Sequence, residues 1–255
     1  MINFKKEDIF LITGGSSGIG KATALKLVEL GASVVISGRN KERLEEVKQQ
    51  ACNPECVFIE EKELLKDIGS LPEWVKGIAK KYGKLKGLLP FAGVSNVRPL
   101  SLIDYESSVE VMNIHYFAPL MLIKGFADRR VNTGSNCSIV VMSSTSRYAG
   151  GRGSIEYASA KAAITASIRN IANELYHRNI RVNSVSPGFI NTPLVEKSLK
   201  DGEINVKNSF NKMCGEPEYV ANLVAFLVSD EARWINGDDI IIEGGTTLPN
   251  VFSKF

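Results

Sequence analysis

The feature that most narrows the possible folds is an alternation running the length of the 255-residue chain. Short apolar runs are each followed by a longer stretch with one polar face. "DIFLITGG" reads as a strand, and "GKATALKLVELG" after it as a helix closed by Gly31. "SVVISGRN", "CVFIE", "LKGLLPFAG", "CSIVVMSS", "IRVNSVSPG" and "DDIIIEGG" repeat the strand signature. Between them lie "KERLEEVKQQ", "PEWVKGIAKKYG", a helical stretch around residues 105–128, a helix from Tyr157 to about Arg178, and "PEYVANLVAFLVS". Strands this apolar are buried on both faces, and the intervening helices supply the covering layers. The pattern predicts an α/β protein: a doubly wound, seven-stranded parallel sheet in a three-layer α/β/α sandwich with right-handed crossovers. No shift in composition marks a second unit, so residues 1–255 are expected to form a single domain. Residues 191–214 are polar and weakly periodic, and read as a substrate loop inserted at one edge.

Composition removes several classes of function. A net charge of +3, with no Arg-Lys cluster longer than a pair, argues against a nucleic-acid partner. Cys52, Cys56, Cys137 and Cys214 include no second pair at zinc-site spacing, so no metal is expected and they read as free thiols. The opening "MINFKKEDIFLITGG" lacks the apolar stretch of a signal peptide, and no run approaches the ~20 apolar residues that cross a bilayer. The expectation is a cytoplasmic protein with no membrane partner.

"TGGSSGIG", Thr13 to Gly20, stands between the first strand and the first helix. Gly14, Gly18 and Gly20, with Ser16, Ser17 and Ile19 among them, would let backbone N–H groups approach a pyrophosphate at the helix N-terminus. The same glycines could serve only a tight turn. The strand–turn–helix setting favours a dinucleotide. At the end of the second strand stand Gly38, Arg39 and Asn40, where an acidic residue would bind a ribose 2′-hydroxyl. With no acid there and a guanidinium suited to phosphate, NADP is the expected cofactor and NAD remains possible.

"EYASAKAAIT" places Tyr157 and Lys161 one helical turn apart. Spacing alone proves nothing, since Tyr82 and Lys86 share it within a lysine-rich turn interrupted by Gly83. What separates the two pairs is company: Ser144 ends the fifth strand thirteen residues before Tyr157, and Asn113 lies in "VMNIHYFAP". Together with the glycine loop, "SPGFINTP" and "GEPEYVANLVAFLVSDEARWINGDDIIIEGG", this set strongly resembles the short-chain dehydrogenase/reductase family, in its branch like the 3-oxoacyl-acyl-carrier-protein reductases. The resemblance runs from Thr13 to Gly245 and implies a Rossmann fold and a homo-oligomer, tetramer or dimer.

The chemistry agrees with it. Hydride transfer to a carbonyl creates an alkoxide that needs a proton, which the Tyr157 phenol could supply. Its ordinary pKa of about 10 makes it a poor base for the reverse reaction, and a cation one turn away would lower that value. By resemblance, Lys161 also binds the nicotinamide ribose, Ser144 polarises the substrate oxygen, and Asn113 holds a relay water. Neighbouring Ser143 would face the other side of the sheet by strand alternation. The resemblance also assigns cofactor contacts to Leu64, Ala92, Gly93, Pro187, Gly188, Ile190 and Thr192, the last on the nicotinamide carboxamide.

Two departures stand out. Pro90 and Phe91 replace a paired Asn that usually braces neighbouring strands, so local support must come from packing. Glu60, Glu61 and Glu63 occupy the stretch where an Asp followed by an aliphatic residue is usual. Arg147 and Arg152 could hold an anionic substrate group, or could be solvated loop charges. Arg129, Arg130 and Arg178 fall where reductases acting on acyl carrier protein present docking residues, a weak match. His115 reads as a packed or exposed histidine more readily than a catalytic one. The expected function is an NADP-dependent oxidoreductase acting on a small-molecule carbonyl or secondary alcohol. An NAD-dependent sugar or hydroxyacyl alcohol dehydrogenase is the alternative, and a silent dinucleotide-binding protein is disfavoured by the complete set of four.

Overall fold

Strands Ile9–Thr13 (β1), Cys137–Met142 (β5) and Ile180–Pro187 (β6) are buried at every position. Continuous burial, rather than alternation, is what a sheet covered on both faces demands. The computed structural model describes residues 2–94, 97–193, 195 and 213–248. The other strands are Ser33–Gly38 (β2), Val57–Glu61 (β3), Leu85–Pro90 (β4) and Asp239–Ile242 (β7). They form one seven-stranded sheet in the order β3-β2-β1-β4-β5-β6-β7, with every pairing parallel.

Alternate residues of one strand serve different layers. Phe10 and Ile12 enter a core with Leu27 of helix Gly18–Glu29 (α1) and Val224 and Val228 of helix Pro217–Val228 (α8). Leu11, between them, enters the opposite core. There it joins Val75 of helix Leu71–Tyr82 (α3), Leu122 of helix Ala118–Phe126 (α5) and Ile164 of helix Ile155–Leu175 (α7). Each such side chain, fully buried, contributes about 1.5–3 kcal/mol. Lys41–Gln50 (α2), Tyr105–Met112 (α4) and the short Ser146–Ala149 (α6) complete the helices among the described residues. The three-layer, doubly wound architecture is the one expected.

The helix expected over residues 105–128 is not continuous. Asn113–Phe117 forms a π turn between α4 and α5, with the Ala118 N–H bonded to the Asn113 carbonyl. Pro119 explains it: proline has no N–H for the carbonyl four residues back, and its ring crowds that carbonyl, so widening the preceding turn relieves both. Most of the expected substrate loop, 191–214, lies outside the described residues. Its two ends meet, with Asn191 N–H donating to the Gly215 carbonyl at 2.8 Å.

The strand order reverses between β1 and β4, which lie side by side while the chain winds outward from each in opposite directions. Connections leaving their C-terminal ends diverge there and open a crevice, the usual ligand position in such sheets.

Candidate active site

The crevice begins at the glycine turn after β1. Gly14 and Gly18 take φ of +71° and +52°, which side chains rarely adopt. A Cβ on Gly14 would lie 2.8 Å from the Ala92 backbone, and one on Gly20 2.2 Å from the Gly14 carbonyl oxygen. Helix α1 then starts with no side-chain cap from Ser17 and no acidic residue in its first turn. Its leading N–H groups and positive dipole end therefore suit an anion. This cradle, with Ser16, Ser17, Ile19 and Gly20 around it, fits a dinucleotide pyrophosphate. Thr192 closes one side, its methyl 3.1 Å from where a Gly18 Cβ would stand.

The end of β2 is less simple than the sequence suggests. The Arg39 side chain is 70% exposed, with Nε 3.7 Å from a Glu63 carboxylate oxygen. Asn40 caps α2, its Oδ1 accepting the Arg43 N–H at 2.8 Å, so that side chain is committed to the helix. Gly38 leaves room for Ser16, whose Oγ would lie 3.2 Å from an added Cβ. Leu64 is buried in the core with Leu71 and Val75, leaving only its backbone for a cofactor.

Beyond β4, Ala92 N–H donates to Thr13 Oγ1 at 3.3 Å, and Gly93 lies against the His115 ring. On the far side of the crevice, Gly188 N–H bonds the Ile242 carbonyl at 2.9 Å, just after Pro187 ends β6. Ile190 is buried, and Thr192 Oγ1 bonds back to its carbonyl at 3.3 Å.

β5 ends at Met142, so Ser144 lies two residues beyond the strand rather than ending it; it accepts hydrogen bonds from the Ser146 N–H at 3.2 Å and the Ser146 hydroxyl at 3.0 Å. It lies close enough to the Tyr157 phenol to act on its ionisation. Ser143 points the other way, its Oγ 2.5 Å from Thr165 Oγ1. Lys161 is 5% exposed and donates from Nζ to the Met142 carbonyl at 2.6 Å. Its Nζ is 5.5 Å from the Tyr157 ring centroid. Burial alone pushes the lysine down to about 7. Burial pushes the Tyr157 phenol up, and the neighbouring Ser144 hydroxyl partly offsets the rise. The expected lowering of Tyr157 by Lys161 is therefore not what governs the free protein. Desolvation wins at both groups, and the lysine spends its hydrogen bond on the backbone. Asn113 opens the π turn, which packs against α7.

The decoy pair separates cleanly. Tyr82 ends α3 and bonds Glu60 at 2.8 Å, whereas Lys86 lies in β4 and reaches the Ser135 carbonyl. Arg147 is not free for an anion, because Nη2 bonds Asp239 at 2.6 Å. Arg129 and Arg130 precede β5 and Arg178 precedes β6, so all three sit at the sheet edge opposite Ser144. Arg130 is bonded to Asp128 and Arg178 to the Ala127 carbonyl. His115 is packed, 3% exposed, edge-on to Tyr157. Thr13, Met142 and Asp239 were not legible as site residues, since each acts through a partner that only strand pairing brings near.

A family model described as Enoyl-(Acyl carrier protein) reductase matches residues 14–247. The chain is 32% identical over 251 residues to the 3-oxoacyl-(acyl-carrier-protein) reductase of Thermotoga maritima, covering 94% of this chain and 98% of that one. It is 31% identical over 247 residues to the probable 2,4-dienoyl-CoA reductase of Bacillus subtilis, covering 93% and 96%. A short-chain dehydrogenase of Burkholderia cenocepacia, solved in complex with NADP, superposes with a TM-score of 0.86 at 28% identity over 96% of this chain and 99% of that one. Fold, glycine cradle and sequence agree, and the chain belongs to the short-chain dehydrogenase/reductase family of oxidoreductases.

Proposed function

We propose that the protein is an NADP-dependent reductase of a small-molecule ketone, with Asn113, Ser144, Tyr157 and Lys161 as its catalytic set. The observation that carries this reading is the Tyr157 ring 5.5 Å from the Nζ of a buried lysine one helical turn away, with Ser144 acting on the phenol, in a chain that also forms an anion cradle. When bound, the reduced nicotinamide supplies the hydride. Ser144 donates a hydrogen bond to the substrate carbonyl and polarises it. Tyr157 gives its proton to the oxygen as charge develops there. Burial keeps that phenol protonated at neutral pH, which favours the reducing direction. Lys161 offsets the phenolate left behind, and Asn113 holds the water that returns a proton.

Tyr157→Phe is expected to lower kcat by at least about 100-fold while NADPH binding is kept. Undiminished turnover would remove Tyr157 from the reaction. The substrate is sought with NADPH oxidation against 3-oxoacyl thioesters, diketones, quinones and keto-sugars. One observation favours NAD instead: Glu63 stands beside Arg39 and competes with a 2′-phosphate for it. Direct titration with both cofactors decides between them.

The finer assignments extend the same reading. Residues 191–214 are the substrate loop. Trp234, 96% exposed, and Tyr105, Val109 and Phe117 leave apolar surface on the single chain, which supports a homo-oligomer, tetramer or dimer, to be read by light scattering. The free cysteines suit a reducing cytoplasm, and among the described residues no helix is long and apolar enough to cross a membrane. Fractionation of the source cells tests that location.

A further inference from the structure

The loop after β4 has lost side-chain support from within. Pro90 has no N–H, and Phe91 has no polar side-chain atom. On one side the loop is tied to β1, through Phe91 N–H to the Thr13 carbonyl and Ala92 N–H to Thr13 Oγ1. On the other, among the described residues, it is tied by the His115 side chain. His115 Nε2 lies 2.8 Å from the Val94 carbonyl oxygen, and a Cβ on Gly93 would come within 2.6 Å of His115 Cε1. The same imidazole packs at right angles to the Tyr157 ring, with centroids 5.0 Å apart.

Burial, with the nearby Lys161 charge adding to it, depresses His115 to about 3, so the ring is neutral at physiological pH. Nε2 also lies 3.4 Å from the Val94 N–H; in the tautomer that makes the shorter bond, Nε2–H donates to the Val94 carbonyl and Nδ1 is left a bare acceptor, buried without a partner. A phenyl ring of similar shape would fill this space without an orphaned nitrogen. What the imidazole adds is the bond to Val94, kept despite that cost.

We propose that His115 is a positioning residue, holding the Gly93–Val94 backbone of the cofactor crevice and the Tyr157 ring in fixed relation. Its two contacts act on different properties. The Val94 bond shapes the crevice and so the affinity for cofactor. The ring contact excludes water from Tyr157 and so keeps its phenol protonated. The proposal rests on the cofactor and Tyr157 roles given above.

Two variants separate the contacts. His115→Phe keeps the ring against Tyr157 and removes the Val94 bond. His115→Gln keeps a donor for Val94 and removes the ring. NADPH affinity is measured by fluorescence titration. Tyr157 ionisation is measured by ultraviolet difference titration against Tyr157→Phe, and thermal unfolding is followed for each protein.

In His115→Phe, NADPH binding is expected to weaken by about tenfold with Tyr157 titrating as in the wild type. In His115→Gln, NADPH binding is expected to hold while the Tyr157 pKa falls, because water reaches the phenol. Lowered melting temperatures with neither property moved, or both properties moved equally in both variants, would overturn the proposal. If the wild-type protein binds no NADPH, the proposed function fails. The Tyr157 titration, which needs no cofactor, then still decides the ring contact. Should one variant not fold, the other tests its own contact alone.

Discussion

Lys161 is buried against the Met142 carbonyl, and its ammonium is pushed down to about 7 from an ordinary 10.5. Below the lower value it is protonated in folded and unfolded chains alike. Above the upper value it is protonated in neither. Between them only the unfolded chain holds the proton, so this group makes stability rise with pH across that window. The rise is at most about 1.4 kcal/mol per pH unit. Urea unfolding at about pH 7 and about pH 9 should show the wild type gaining more than Lys161→Met. An equal gain in both would mean that the lysine is hydrated in the folded protein. Tyr157 and Lys161 were legible because their spacing comes in company with Ser144, Asn113 and the glycine loop, whereas the same spacing at Tyr82 and Lys86 does not. The forces on them were not, since burial depends on β5 and the π turn, which are distant in sequence.

At the level of elements, α6 and the Ser144 turn are fastened to the sheet's last strand by one carboxylate. Asp239 on β7 accepts from Arg147 at 2.6 Å, from Ser184 at 2.5 Å and from Ser186 at 2.9 and 2.8 Å. Asp239→Asn leaves Arg147 without its anion in a partly buried setting, at a cost of about 1–3 kcal/mol. Melting temperature should fall, and kcat on the ketone found by the NADPH panel should fall by about tenfold as Ser144 loses its fixed position. A variant with lower stability and unchanged kcat would show that the tether is structural only. Strands and most helices could be read from their periods because each buries a repeating face. The π turn escaped because it breaks a period within five residues, and Arg147 looked available because Asp239 is 92 positions away along the chain.

Taken as one folding unit, the protein should be stabilised by whatever its crevice binds. At a cofactor concentration of 100 Kd the gain is about 2.7 kcal/mol, or roughly 5–10 °C in melting temperature for a domain of this size. NADP should raise the melting temperature more than NAD at equal concentration. Equal shifts would remove Arg39 as a 2′-phosphate ligand. The sandwich itself was predictable because the inner strands are buried on both faces, and the half-exposed edge strands β3 and β7 still carry short apolar runs. Cofactor choice was less so, because the ion pair of Arg39 with Glu63 joins two different strand ends.

Since all seven strands point the same way, the proposed site residues that follow strands, among them Gly14, Arg39, Ala92, Ser144 and Gly188, lie at one rim of the sheet. The opposite rim is made of return turns, among them the one at Gly134, which is exposed with nothing within 4 Å of an added Cβ. That rim offers a place for a fused reporter or a surface tether. A molecule attached there would face away from the chemistry, and substrate would reach an immobilised protein as freely as one in solution.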